Sequence, residues 1–252
     1  MGKLENQNVL EIICNDDDET LKRKLKELLV TICYGKEQEE LEIITFDETI
    51  EELNKRIERK TEEQKAGMIG ELLFHLKSFE ELKNYSHISI YLNREERSVK
   101  KGFDVLLFDG EKIWYTEVKS RENAQNENIT DSHISKIQEA ITDVKSKFSS
   151  NNKNYWLTAK SNIANVEEKE LKKQIADILT KEIDVQIEKN AIGVSTVFKK
   201  NIDNINKEKI KEILNNEKNN FKNIAAICIS HKDYKKIVKI LKELELKNGT
   251  KL

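Results

Sequence analysis

A chain of 252 residues with a formal net charge of −2 is long enough for one large core or two modest ones, and it carries no global basic field for nucleic acid. No apolar run is long enough to span a bilayer, and Met1 leads into a polar segment rather than a signal sequence. Cys14, Cys33 and Cys228 lie far apart in apolar runs without zinc spacing, and read as buried free thiols of a cytoplasmic protein. The charge is uneven: residues 1–63 hold 10 Lys or Arg against 18 Asp or Glu, whereas residues 199–252 hold 14 Lys against 7 acids.

In chain order, residues 8–14 (NVLEIIC) predict a strand, and Asn15 to Asp18 a turn and helix N-cap. The acidic triplet lacks the downstream spacing of a calcium loop. Leu21, Leu25, Leu28, Leu29 and Ile32 form a helical stripe closed by Gly35. Residues 41–46 (LEIITF) predict a second strand, closing a small acidic α/β lobe over residues 1–60. Asp47 is expected to cap a long helix that breaks near Thr61. In its second part Ile69, Leu72, Leu73 and Leu76 face the core, while Gly67, Gly70, Glu71 and Phe74 share another face. Each interior glycine costs about 1 kcal/mol relative to Ala, so the pair implies close approach of another backbone, with Glu71 at that contact.

Further on, residues 87–92 (HISIYL) predict a strand, residues 93–101 a charged loop, and residues 120–130 a polar loop. A helix is expected from Asp131 to Phe148, packing Ile134, Ile137, Ile141, Val144 and Phe148. His133 flanks that stripe and Gln138 borders it. Either would be placed to reach a phosphate, although a single His beside an apolar face is more often structural. Residues 155–158 predict a strand, 167–181 a helix, 191–198 a buried strand, 207–221 a Lys-rich helix, 223–230 a buried strand and 231–246 a final helix. The alternation gives an α/β fold. There is no phosphate-binding glycine loop, no HExxH and no Ser/His/Asp order.

Residues 101–121 (KGFDVLLFDGEKIWYTEVKSR) hold the candidate chemistry. Two short strands, 103–108 and 112–119, flank the turn pair Asp109-Gly110. Alternation sends Ile113, Tyr115, Glu117 and Lys119 to one face and Trp114, Thr116 and Val118 to the other. Asp104 shares a face with Leu106 and Phe108. Glu117 and Lys119 stand about 6.6 Å apart along a strand that is otherwise apolar, where an interior position would exclude both. Across the hairpin, Asp104 is placed to share a hard cation with Glu117, with Lys119 holding a water beside it. That is a minimal kit for metal-assisted attack on a phosphodiester. The plain alternative is a salt-bridged surface hairpin in a chain that is 36% charged.

The order helix with Glu71, strand, hairpin with Asp104 and Glu117-x-Lys119, then helix, resembles the core of the PD-(D/E)XK nuclease superfamily, with Phe103 in the place of the proline. Gly70-Glu71-Leu72, Gly102-Phe103-Asp104 and Glu117-Val118-Lys119 more closely resemble the HamA C-terminal-domain-like family, the nuclease subunit of Hachiman anti-phage systems, over about residues 65–246. The resemblance implies a restriction-endonuclease-like core with a mixed sheet flanked by helices over residues 61–252. It implies Asp104, Glu117 and the Val118 carbonyl as ligands of Mg²⁺ or Mn²⁺, Lys119 as the residue that positions the attacking water, and Glu71 as an accessory ligand. It also implies DNA as substrate and a separate superfamily-2 helicase, HamB, as restraining partner. Our own hypothesis is that the acidic N-terminal region docks on that partner. Two other readings stay open: a stand-alone restriction- or repair-type endonuclease, and an inactive binding subunit that keeps the fold.

Overall fold

The computed structural model describes residues 4–92, 102–122, 127–150, 153–163, 166–184 and 189–248. The elements run β1 (Val9–Cys14), α1 (Asp18–Tyr34), α2 (Lys36–Glu40), α3 (Phe46–Glu58), α4 (Glu62–Glu81), β2 (Ser86–His87), β3 (Val105–Phe108) and β4 (Ile113–Glu122). They continue with α5 (Ile129–Ser149), α6 (Lys153–Asn162), α7 (Lys169–Asp184), β5 (Asn190–Phe198), α8 (Lys207–Asn216), β6 (Asn223–His231) and α9 (Tyr234–Asn248). The strands form one six-stranded mixed sheet in the order β1-β6-β5-β4-β3-β2. Pairing is parallel from β1 to β4 and antiparallel from β4 to β2.

The two longest buried runs, β5 and β6, take interior positions in the sheet, where helices cover both faces. On one face, Tyr115, Ile137, Ile141, Ile175, Leu179 and Ile210 pack α5, α7 and α8 onto the sheet. On the other, α1, α3, α4 and α9 close a cluster that includes Leu25, Leu53, Leu72 and Leu241, beside a second that includes Phe74, Trp114 and Ile227. The cysteines are buried and free. Among the described residues no helix is long and apolar enough to cross a membrane.

Several local expectations are met by a cap. Asp17 accepts from the Thr20 N–H at 2.7 Å and starts α1, while Asp16 pairs with Lys77 and Lys24. Thr61 starts α4 with a capping box, the expected helix break. Others are corrected. Residues 41–46 are not a strand: the Leu41 N–H bonds back to Glu37 at 3.1 Å, and Thr45, not Asp47, caps α3 through a second capping box. Residues 155–158 lie within α6, where Trp156 joins an aromatic group with Phe103, Tyr115 and Phe148. Of the strand expected at 87–92 only His87 enters the ladder, together with the preceding Ser86. Beyond them the Ser89 hydroxyl accepts from the Leu106 N–H at 3.0 Å in place of backbone. Asn128 rather than Asp131 caps α5. Ser120 to Glu122 prolong β4, and the rest of the expected polar loop, residues 123–126, lies outside the described residues, as does the charged loop 93–101.

The first 60 residues are built into the same sheet rather than set apart from it. β1 pairs with β6, and α3 and α4, on either side of residue 60, share one apolar cluster.

The two glycines of α4 separate. A Cβ on Gly70 would stand 1.8 Å from Ser120 Oγ and 2.7 Å from Ser120 Cβ, so this glycine lets α4 rest on β4. Gly67 has nothing within 4 Å. Gly70→Ala is therefore expected to destabilise the fold by about 1–3 kcal/mol through overpacking. Gly67→Ala should stabilise it by about 0.5–1 kcal/mol. Urea unfolding of the two variants measures the contrast, and equal effects would contradict it.

Candidate metal centre at the overhang of the hairpin

The β3–β4 hairpin is fixed at its tip by one buried carboxylate. The turn centres on Gly110 and Glu111, one residue later than expected, with Gly110 at φ 94° and the Asp109 N–H bonded to the Lys112 carbonyl at 3.2 Å. Asp109 Oδ1 accepts from the N–H groups of Glu111 and Lys112, and Oδ2 accepts from Trp114 Nε1 at 2.9 Å. This sets the register Val105↔Thr116 to Phe108↔Ile113. Trp114 and Val118 pack on the α4 side of the sheet and Tyr115 on the α5 side, as the alternation requires.

β4 outlasts β3. Residues 117–122 continue along β5 with no β3 residue opposite them. An unpaired edge needs other partners, and Asp104 supplies one. Its Oδ2 accepts from the Val118 N–H at 2.9 Å, while its own N–H donates to Glu117 Oε1 at 3.2 Å. The N–H and C=O of one strand residue point to the same side, so the Val118 carbonyl faces the Asp104 side as well. Asp104, Glu117 and Val118 thus meet, and Lys119 lies two residues on, on the Glu117 face. The Glu117 side chain is only 2% exposed.

Helix α5 completes the electrostatics. It approaches closely because β5 has Gly193 opposite Glu117: a Cβ there would be 3.0 Å from Ile141 Cγ1. From α5, Lys147 contacts Glu117 Oε1 and Asp143 contacts Lys119. Burial pushes the Glu117 carboxyl up to about 8, nearby Asp104 adds to the rise, and Lys147 and Lys119 pull against it. Burial opposes the charge on Lys119, but its hydrogen bond to Asp143 prevails and raises the pKa above the usual lysine value.

Glu71 does not join this group. α4 packs on the opposite face of the sheet, where Gly70 meets Ser120 and the Thr196 hydroxyl bonds the Gly70 carbonyl. The Glu71 charge is felt at Tyr91, whose phenol is raised by burial first and Glu71 second. Among the described residues no three His, Cys, Asp or Glu side chains are grouped to hold a metal. His133 is also structural. It is fully buried, its ring nitrogens each 3.0 Å from the hydroxyls of Ser195 and Ser230, and burial lowers its pKa to about 4. Gln138 is exposed on α5. Sequence reasoning missed Asp143 and Lys147. Their one signal is a pair of opposite charges four apart beside the Ile137, Ile141, Val144 stripe.

The donor chemistry suits a hard divalent cation. Asp104 and Glu117 offer carboxylate oxygens and Val118 a carbonyl, with no nitrogen or sulfur ligand in the set. Among the described residues the bonds to these side chains go to Asp104 Oδ2 and Glu117 Oε1.

A family model for HamA matches residues 3–243, nearly the whole chain. The chain belongs to the HamA family. The match begins well before residue 65 and takes in β1, which pairs with β6 in the sheet, and the helices α1 and α3. HamA membership ties the chain to Hachiman anti-phage defence. No curated protein matches the chain.

The raised Glu117 pKa has a consequence for stability. Between its ordinary value of 4.5 and about 8 the folded protein holds a proton that the unfolded chain has released, so stability falls as pH rises through that window. Glu117→Gln is expected to remove this decline. Urea unfolding of both proteins from pH 5 to pH 9 checks it; parallel curves would contradict the assignment.

Proposed function

We propose that this HamA protein is the nuclease of a Hachiman defence pair, hydrolysing DNA phosphodiesters with Mg²⁺ or Mn²⁺ and restrained by a separate helicase. The observation that carries the reading is the interlock of Asp104 with Glu117 and Val118 on the free edge of β4, with Lys119 on the adjoining position. Hard oxygens meeting around a carboxylate that is 2% exposed are costly unless a cation offsets them. Asp104, Glu117 and the Val118 carbonyl would hold the ion. When bound, it supplies Lewis-acid polarisation of the scissile phosphate.

The chain's own residues do the rest. Asp104 and Glu117 would fix where the ion sits. Lys119, 22% exposed, presents an ammonium to solvent on the Glu117 face, where it orients the attacking water and offsets charge that builds on the phosphate oxygens. Asp143 holds that ammonium in its charged form. The lack of a phosphate-binding glycine loop is consistent with a motor supplied by another subunit.

Lys119→Ala is expected to lower Mg²⁺-dependent cleavage of duplex DNA by about 10²–10³-fold while leaving the thermal unfolding profile close to wild type. Cleavage at the wild-type rate by both Lys119→Ala and Glu117→Gln would remove the nuclease reading.

The contact with the helicase is proposed for the turn after α2. Leu41 and Ile43 are 62% and 57% exposed there, among the exposed acids Glu37, Glu40 and Glu42. An apolar pair in an acidic rim suits a partner surface with a basic border. The double variant Leu41→Ser, Ile43→Ser should weaken co-purification with the helicase by about tenfold or more without changing cleavage by the isolated chain. Undiminished capture would place the interface elsewhere.

A further inference from the structure

Helix α5 meets β4 with charges in crossed order. Residues four apart on a helix are separated by about 6 Å along its axis, and residues two apart on a strand by about 6.6 Å. Asp143 and Lys147 therefore register with Lys119 and Glu117, and each charge of the motif faces its opposite. The two contacts differ in depth. Asp143 is 42% exposed and Lys147 only 17%.

Lys147 is surrounded as a bound cation would be. Its ammonium touches Glu117 Oε1, donates to the Gly102 carbonyl at 2.7 Å and lies 5.7 Å from the centre of the Phe103 ring. Those are a carboxylate oxygen, a backbone carbonyl and a π face, drawn from the residues immediately before Asp104 and from Glu117 itself. Among the described residues no other cation is bonded to the Glu117 oxygen that Asp104 also engages.

We infer that Lys147 is a built-in place-holder for the divalent cation, occupying Glu117 Oε1 until the metal displaces it. This rests on the nuclease reading and adds a residue to it. Two opposed effects follow from the ammonium. It competes with the metal for Glu117, and it also keeps two neighbouring carboxylates from repelling one another. Competition wins, because Asp104 is already tied to β4 through the Val118 N–H and its own N–H, bonds that survive without Lys147. Removing the charge therefore opens the site rather than dispersing it. Lys147 is a positioning residue in the resting protein; once displaced, its ammonium is free for a phosphate oxygen of the bound strand.

The test is Mn²⁺ binding, measured by titration calorimetry on the full chain without DNA. Lys147→Met keeps the apolar stem over Phe103 and removes the charge. It should bind Mn²⁺ roughly tenfold tighter than wild type at the same stoichiometry. Lys147→Gln, which retains a donor to Gly102, should show the same direction, and Lys147→Arg should not. Thermal unfolding followed by circular dichroism establishes that each variant is folded. Equal or weaker Mn²⁺ binding by folded Lys147→Met and Lys147→Gln overturns the place-holder role while leaving the metal site standing. Absence of Mn²⁺ heat from wild type and every variant would instead remove the metal site, and the place-holder with it.

Discussion

A sheet edge that outruns its neighbour is the constraint from which the site follows. β4 runs to Glu122, but β3 offers it nothing beyond the pairing of Val105 with Thr116. The overhang is buried at Glu117 and half-buried from Val118 to Arg121, so its backbone groups need partners. The Asp104 carboxylate reaches one of them at Val118, and in doing so comes to rest against Glu117. The same hydrogen bond that finishes the edge gathers acceptor oxygens in one place. Structure and candidate chemistry are two aspects of one unmet backbone donor.

Burial then decides the electrostatics. Glu117 pairs in register with Gly193, beneath a helix that the missing side chain lets come close. That proximity removes water from the carboxylate and brings Lys147 and Asp143 within reach of the strand. On the opposite face Gly70 plays the matching part, seating α4 on Ser120. Each glycine lies where a helix bears on the sheet, and together they clamp β4 between two layers. A strand held so firmly is a suitable support for side chains whose separation matters.

Much of this was legible in the sequence, and the failures have physical causes. The alternation of Trp114, Tyr115, Thr116, Glu117 and Lys119 fixed their faces, since side-chain direction in a strand follows from position alone. The helix with Glu71 was read correctly as a helix, yet its phase says only that Glu71 lies next to Gly70. Which face of the sheet receives the helix is a property of topology, which the phase of a helix does not carry. Residues 41–46 and 155–158 carry the β-branched or aromatic residues of a strand. A capping box at Thr45 and the aromatic packing of Trp156 override that preference. Asp143 and Lys147 were hidden for a different reason. In a chain with 36% charged residues, a charged pair on an amphipathic helix looks like any solvated face until its neighbours are known.

The pairing of β1 with β6 joins the beginning of the chain to its end. Asn6 and Ile224, bonded at the start of that ladder, are 218 positions apart. Contacts of such span close late, because a long loop must be ordered before they contribute. On the ribosome, β1 is made long before β6 and waits for it before the sheet can take its edge strand. A nascent chain can therefore build the hairpin well before it can build the whole frame that steadies it.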